Sequence, residues 1–452
     1  IALILMLSFR SFKGVALPLL TAVIAIVWTL GIMSLAGYKM SMISNNIPII
    51  LLAVGSAYAI HVLNRINQVL EKDTRKAVTI ALAYVMIPVV LAAVTTVIGF
   101  VSFIFGAYLE MIVDFGVFTA LGTFFACLLS LFFVPSLITA FAIEKRNEIT
   151  LENKLRKSVL SENFLGPLKN LLFKHPKYIL TSWGLLILIS MGGIFLIKRS
   201  VDIQEYFKKG NPTRQAEQIM VEKFGGTKPI FVLFKGDMQS PEVLQTMMRT
   251  GEYMKKSPDI YTTQSVADLI AEINEVLDGE RVIPDERDKI EQIWFFLDGN
   301  EVMQRFVSDD LGEGVLMSKF RSPDNKEKKE FAAYMEKFIA ENSTPECQIE
   351  ITGMPFVDIT MDRSLVNSQL GSLSIALVFV VIFVGILLRS FSSGIYATLP
   401  IFAAIMILFG VMGFAGISLN MATVLVASVA LGIGIDYSIH VISHFNHVYK
   451  VT

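Results

Sequence analysis

The chain has 452 residues, of which 53% are hydrophobic and 17% charged, with a formal net charge of −1 and two cysteines. That balance is too apolar for a soluble domain of ordinary make-up, so lipid must be part of its solvent. The near-neutral charge offers nothing to a nucleic-acid partner, and Cys127 and Cys347, expected in different phases, imply neither a disulfide framework nor a metal or other cofactor.

The chain opens on the apolar run 1–9, with no charged leader or cleavage site, which reads as the tail of a cut helix. A helix needs about 20 apolar residues to cross about 30 Å of hydrocarbon. Complete candidates lie at about 14–36, 42–66, 77–105, 115–143, 178–197, 370–389, 394–416 and 420–448. The last ends close to Thr452, so the chain is expected to be a piece of a longer protein at both ends.

Between the fourth and fifth candidates, Leu151, Leu155, Val159, Phe164, Leu168 and Leu172 recur at roughly helical spacing among charges. This fits a helix on the cytoplasmic membrane face or an ordinary linker helix. The polar insert 200–365 reads as a small α/β domain. Strands are expected at 229–235, 314–321 and 347–353 and helices at 240–256 and 325–341, as two βαβ-like units around a helical stretch at 264–305. Its acidic and basic residues are mixed, and no catalytic grouping stands out, so an enzyme is not expected.

Lysine and arginine alternate in the loops. One set holds Arg10, Lys13, Arg65, Lys72, Arg75, Lys76, the run from Lys145 to Lys177, Arg389 and Lys450; the other holds little beyond Lys39, Lys198 and Arg199. By the excess of cations on the cytoplasmic side, the insert lies outside the cytoplasm.

The sequence also repeats itself at an offset of 379 positions: Arg10-Ser11-Phe12 falls on Arg389-Ser390-Phe391, Ala36-Gly37 on Ala415-Gly416, Tyr58 on Tyr437, and Ile60-His61-Val62 on Ile439-His440-Val441. Both copies keep one orientation, so they are parallel repeats about an axis along the membrane normal, and function is expected where they meet. Restoring each copy's unmatched parts predicts twelve helices and two extracytoplasmic domains.

Within the second copy, Gly432-Ile433-Gly434-Ile435-Asp436-Tyr437-Ser438-Ile439-His440 puts an acid in mid-helix. An aspartate there costs about 2.5–3.5 kcal/mol on insertion scales, so it needs a polar interior or a proton. Desolvation raises a carboxyl toward the range in which it loads and releases protons. Gly432 and Gly434 admit a close helix or water, Tyr437 offers a hydroxyl, and His440 shares a face with Asp436 and could continue a proton path. The first copy reads Gly55-Ser56-Ala57-Tyr58-Ala59-Ile60-His61, so Ala57 stands where the acid is and Ser56, Tyr58 or His61 is the expected neighbour across the axis. Against these readings stand a structural, hydrogen-bonded Asp436 and packing roles for His61, His440 and the glycines.

Together, the parallel repeats, the α/β domain before a matched region and the string from Gly432 to Tyr437 resemble the resistance-nodulation-division (RND) superfamily, most closely its MMPL and hydrophobe/amphiphile exporter branch, whose membrane part is similar to the sterol-sensing domain. The resemblance implies a polytopic α-helical membrane protein with a duplicated bundle and an extracytoplasmic porter-like domain. It divides the chain into first-copy helices two to six (1–143), a cytoplasmic linker (144–177), helix seven (178–199), the porter-like domain (200–365) and helices eight to ten (366–452). It also implies export of hydrophobic or amphiphilic molecules driven by protons entering at Asp436 and Tyr437, with Tyr58 keeping the tyrosine of the other half. Ala57 departs from relatives with an acid in both halves and leaves proton number and coupling ion open. The partners implied are membrane lipid, the transported substrate and protons; self-assembly is left open. The competing reading is a non-transporting, sterol-sensing-type protein that binds lipid and reports it to a partner.

Overall fold

A computed structural model describes residues 6, 12–71, 73–141, 166–199, 202, 207–208, 210–297, 303–322, 324–387, 389–435 and 437–438. It divides into two compact units, Ile1–Lys198 with Ser364–Thr452, and Arg199–Arg363.

The first unit is helical: α1 (Phe12–Leu35), α2 (Ile47–Gln68), α3 (Thr74–Gly106), α4 (Glu110–Phe141), α5 (Gly166–Lys174), α6 (Pro176–Ile194), the membrane part of α12 (Met354–Leu387), α13 (Phe391–Phe414) and α14 (Val426–Ile435). Seven of these are long and apolar enough to cross a membrane among the described residues. The chain is therefore a polytopic helical membrane protein. Of the span expected at 420–448, α14 and residues 437–438 are described; the run 1–9, apart from Met6, and residues 142–165 of the linker lie outside the described residues.

The duplication is visible in backbone detail. The helices α1 and α13 are both 24 residues long and start and stop at matched positions, Phe12 with Phe391 and Leu35 with Phe414. Both end on a left-handed glycine, Gly37 at φ 79° and Gly416 at φ 67°. In each, the next amide reaches back over the last turn, Tyr38 to the Met33 carbonyl at 3.1 Å and Ile417 to the Met412 carbonyl at 2.9 Å. That 6→1 bond is a glycine-terminated helix stop, which any Cβ at the glycine would strain.

The following turn repeats too. The Ser41 and Ser44 amides each donate to the other's hydroxyl, at 2.6 and 3.0 Å. At the matched positions Asn420 N donates to Thr423 Oγ1 at 2.9 Å and Thr423 N to Asn420 Oδ1 at 3.0 Å. Three residues later α2 and α14 begin, at Ile47 and Val426. Asn420→Ala should weaken this start by about 1 kcal/mol, as lost helix caps do, read as a small drop in the thermal midpoint of the detergent-solubilised protein.

The second unit holds α7 (Pro212–Phe224), β1 (Lys228–Lys235), α8 (Pro241–Lys255), β2 (Ile260–Gln264), α9 (Val266–Asp278), α10 (Arg287–Leu297), β3 (Glu313–Phe320), α11 (Asn325–Asn342) and β4 (Gln348–Gly353), and it takes the first turns of α12. Sheet order is β2-β3-β1-β4 with every neighbouring pair antiparallel. Each βαβ unit is thus split by a strand of the other, the ferredoxin-like arrangement. Alternation along β1 buries Ile230, Val232 and Phe234 on the helix-covered face, in one core with Leu244, Met247 and Met335. Two features differ from the sequence expectation. The short strand β2 lies where no strand was expected, because Ile260 to Gln264 carries one fully apolar residue in five. And α12 starts at Met354, not near 370, because its early turns carry charges that the second unit holds.

Those charges form a buried network. Lys228 Nζ lies 2.9 Å from Asp358 Oδ2 and 3.1 Å from Asp202 Oδ2, while Lys328 Nζ, its side chain 1% exposed, lies 2.7 Å from the same Asp358 oxygen. One turn on, Lys329 reaches Asp362 at 3.0 Å. Burial, with a second ammonium beside it, pushes Lys328 below the ordinary lysine value despite its bond to Asp358. At Lys228 burial pulls the same way, but the Asp358 hydrogen bond and the Asp202 charge outweigh it and hold that ammonium up. Asp358 is the shared counter-ion, and it fastens α12 to β1 and α11.

Candidate functional site

The turn of α14 before Asp436 packs on helices of both copies. A Cβ added to Gly99 of α3 would stand 3.0 Å from the Gly432 Cα, so the two helices touch through backbone. Beside that contact, the fully buried Thr96 donates its hydroxyl to the Gly432 carbonyl at 2.8 Å. Ile433 packs against the first-copy cluster that contains Val54, Tyr58, Ala59 and Val62. Gly434 faces Ile401 of α13, and Ile435 is buried with Ala376, Val380 and Ile401 of α12 and α13. First and second copies therefore meet at this turn.

Asp436 and His440 lie outside the described residues. Tyr437 is 66% exposed and Tyr58 is 2% exposed. Ser56 is buried and donates to the Ala53 carbonyl at 3.1 Å, within its own helix. His61 is exposed, and Gly55 packs on Ala22 and Ala126 of the first copy. The structure thus brings Gly432 to the first copy through α3, and joins Ile433 to the cluster around Tyr58, to which Gly55 also belongs through Ala126.

Sequence reasoning missed the α3 side of the contact. Its signal is present: Thr96, Gly99, Ser102 and Gly106 recur every three or four residues, with Thr95 beside the first, in an otherwise greasy helix, the pattern of a close helix interface in lipid. All five are buried. Gly106 continues the contact onto α12, where a Cβ would lie 2.4 Å from the Ser372 amide nitrogen, and Tyr108 N donates to Ser368 Oγ at 2.8 Å.

Between α12 and α13, Leu377, Val381, Ile382, Phe391, Ile395 and Phe402 line an open groove of about 400 Å³, apolar apart from Thr398.

A duplicated helical bundle whose copies meet at the turn before Asp436, carried with a split-βαβ domain, defines a polytopic helical membrane protein. The chain belongs to the MMPL family, whose model matches residues 1–155 and 206–449. It is 25% identical over 287 residues to the membrane protein MJ1562 of Methanocaldococcus jannaschii, covering 61% of this chain and 73% of that protein. Its fold is similar to that of SecDF, a translocon-associated membrane protein from Thermus thermophilus, with a TM-score of 0.54 and 13% identity over 100% of this chain. The chain spans about half the length of SecDF, 51%.

Proposed function

We propose that this chain is the core of a proton-driven exporter of hydrophobic or lipid-like molecules in a cytoplasmic membrane, with residues 200–365 outside the cytoplasm and Asp436 as the proton acceptor. The observation that carries the reading is the contact of the turn before Asp436 with α3: Gly432 against Gly99, and Thr96 on the Gly432 carbonyl. A carboxyl four residues on that gains or loses charge changes what this part of the helix must pack against, and the inter-repeat contact responds. One charge moved across 100 mV supplies about 2.3 kcal/mol, enough to bias two packings. Because Ala57 occupies the first-copy position, the coupling runs through the second copy, with Tyr437 and Tyr58 beside it and His440 and His61 toward the cytoplasm.

In vesicles with an imposed pH gradient, the full-length protein is expected to move a fluorescent phospholipid and Asp436→Asn to stop it; transport unchanged in Asp436→Asn would refute the role. The apolar α12–α13 groove favours a second reading, a sterol-sensing-type lipid binder without transport. Lipid binding that is saturable, lost in Thr398→Trp and indifferent to any gradient would support that reading over export.

A further inference from the structure

Where the charge network of the second unit ends, at Asp362, a pocket of about 460 Å³ opens. Three cations line it, Arg199, Lys326 and Lys329, against two carboxylates, Glu330 and Asp362. Lys329 is spent on Asp362 at 3.0 Å, and that carboxylate is buried, its side chain 4% exposed. The other two pairs are loose, Arg199 with Asp362 at 3.9 Å and Lys326 with Glu330 at 3.7 Å. Both separations exceed the reach of a hydrogen bond. A guanidinium and an ammonium, both exposed to solvent, therefore keep N–H donors for another acceptor.

The cations are set by the fold. Lys326, Lys329, Glu330 and Ala333 recur every three or four residues and so share one face of α11. The Asn325 amide donates to the Arg199 carbonyl at 3.4 Å, which ties the chain that carries the guanidinium to the first turn of the same helix. A planar guanidinium beside an ammonium suits a phosphate, whose oxygens accept from the fork in pairs.

Chain continuity sets the depth of the pocket. Arg199 follows the end of α6, Ile194, by five residues, and α12 carries no charge from Ser364 to Leu388. Counting about 20 residues of spanning helix back from Arg389 puts the hydrocarbon edge near Gln369. At about 1.5 Å per residue, Asp362 stands about 10 Å beyond that edge. Headgroups fill about the first 5–8 Å, and long cationic side chains cover the remainder.

We propose that this pocket binds a phosphate ester, supplied by the headgroup of an anionic membrane phospholipid. The phosphodiester keeps its single negative charge, and Arg199 and Lys326 exchange their loose carboxylate pairs for its oxygens; no covalent bond changes. A headgroup held there pins α11 and the start of α12 to the membrane surface. Inorganic phosphate offers the same chemistry without the lipid.

The test titrates dioctanoyl phosphatidylglycerol into the full-length protein in a neutral detergent by calorimetry, with inorganic phosphate and dioctanoylglycerol as parallel probes. The phospholipid should bind saturably and more tightly than either. Inorganic phosphate binding as tightly would show a site for the free anion and overturn the lipid assignment; dioctanoylglycerol binding as tightly would show that the phosphate is not read. Arg199→Gln combined with Lys326→Gln should weaken phospholipid binding at least about tenfold, the loss of one or more charge-assisted hydrogen bonds. Lys326→Arg, which keeps the charge, should retain it. Lys337→Gln, an exposed lysine on the same helix outside the pocket, should bind like the parent chain. Unchanged binding in the double variant, or an equal loss in Lys337→Gln, would overturn the site.

Discussion

Replacing Asp358 with alanine destabilises the second unit by about 3–5 kcal/mol, the range found when one partner of a buried ion pair is removed. The carboxylate is the shared acceptor of two ammonium groups, Lys228 at 2.9 Å and Lys328 at 2.7 Å. Lys228 keeps Asp202, but Lys328, its side chain 1% exposed, keeps the Asn325 side-chain oxygen at 3.3 Å and, among the described residues, no carboxylate. Its charge must then be lost or drawn toward water, and either outcome loosens α11 from β1 and α12. Amide hydrogen exchange in β1 and α11 of the full-length protein measures the effect. Adding Lys328→Met to Asp358→Ala should recover much of the loss, because it removes the stranded charge and keeps the side chain's apolar stem volume. Normal exchange in Asp358→Ala alone would show that the network carries little of the stability.

The second large effect falls on the membrane unit. Gly106→Leu places a Cβ 2.4 Å from the Ser372 nitrogen and 2.5 Å from its Cα, both backbone atoms that no rotamer change can move aside. The helices α3 and α12 must separate, and in lipid, where close packing and interhelical bonds hold helices together, little compensates. Overpacking of this kind costs about 1–3 kcal/mol and more against rigid backbone. The folded yield of Gly106→Leu should fall sharply, with a lower thermal midpoint by size-exclusion chromatography of heated samples. Gly184→Leu on α6, with nothing within 4 Å of an added Cβ, should behave like the parent chain. Equal midpoints for the two variants would contradict the close crossing.

The parts of the fold legible in the sequence are those set by local chemistry. Long apolar runs bounded by charges gave the spans, because hydrocarbon thickness leaves few alternatives. The repeat gave more: Gly37 and Gly416 are the residue choice that the helix stop demands, so two copies that must build the same stop keep it at the same offset, whereas the turn that follows is built by different pairs, Ser41 with Ser44 and Asn420 with Thr423, which no identity marks. The strand β2 was not legible: Tyr261, Thr262 and Thr263 suit a strand, but five residues with one fully apolar side chain show no buried face until β3 beside them supplies the ladder. Nor was the start of α12, because Asp358 and Asp362 read as surface charge until Lys328 and Lys329 are found folded onto them.

The site was half legible. An acid in a greasy helix declares itself through its solvation cost, and so Asp436 stood out. Its neighbours did not. The expected meeting of the two matched helices drew attention to Ser56, Tyr58 and His61, and Ile433 does pack on the cluster that holds Tyr58, but the same turn also rests through Gly432 on α3, a helix with no charge between Lys76 and Glu110 to mark it. Thr96 and Gly99 matter through the close approach they permit, and which helix approaches is a tertiary fact.

The central claim, that charge on Asp436 is exchanged with the proton gradient, is tested most directly by proton flux itself. Full-length protein is reconstituted in vesicles enclosing a pH-sensitive dye, an inward proton gradient is imposed, and internal acidification is followed with the fluorescent phospholipid present. The account predicts acidification well above that of empty vesicles for the parent chain and a return to the empty-vesicle rate for Asp436→Asn, with Asp436→Glu retaining part of the flux. Acidification as fast in Asp436→Asn as in the parent chain would contradict it.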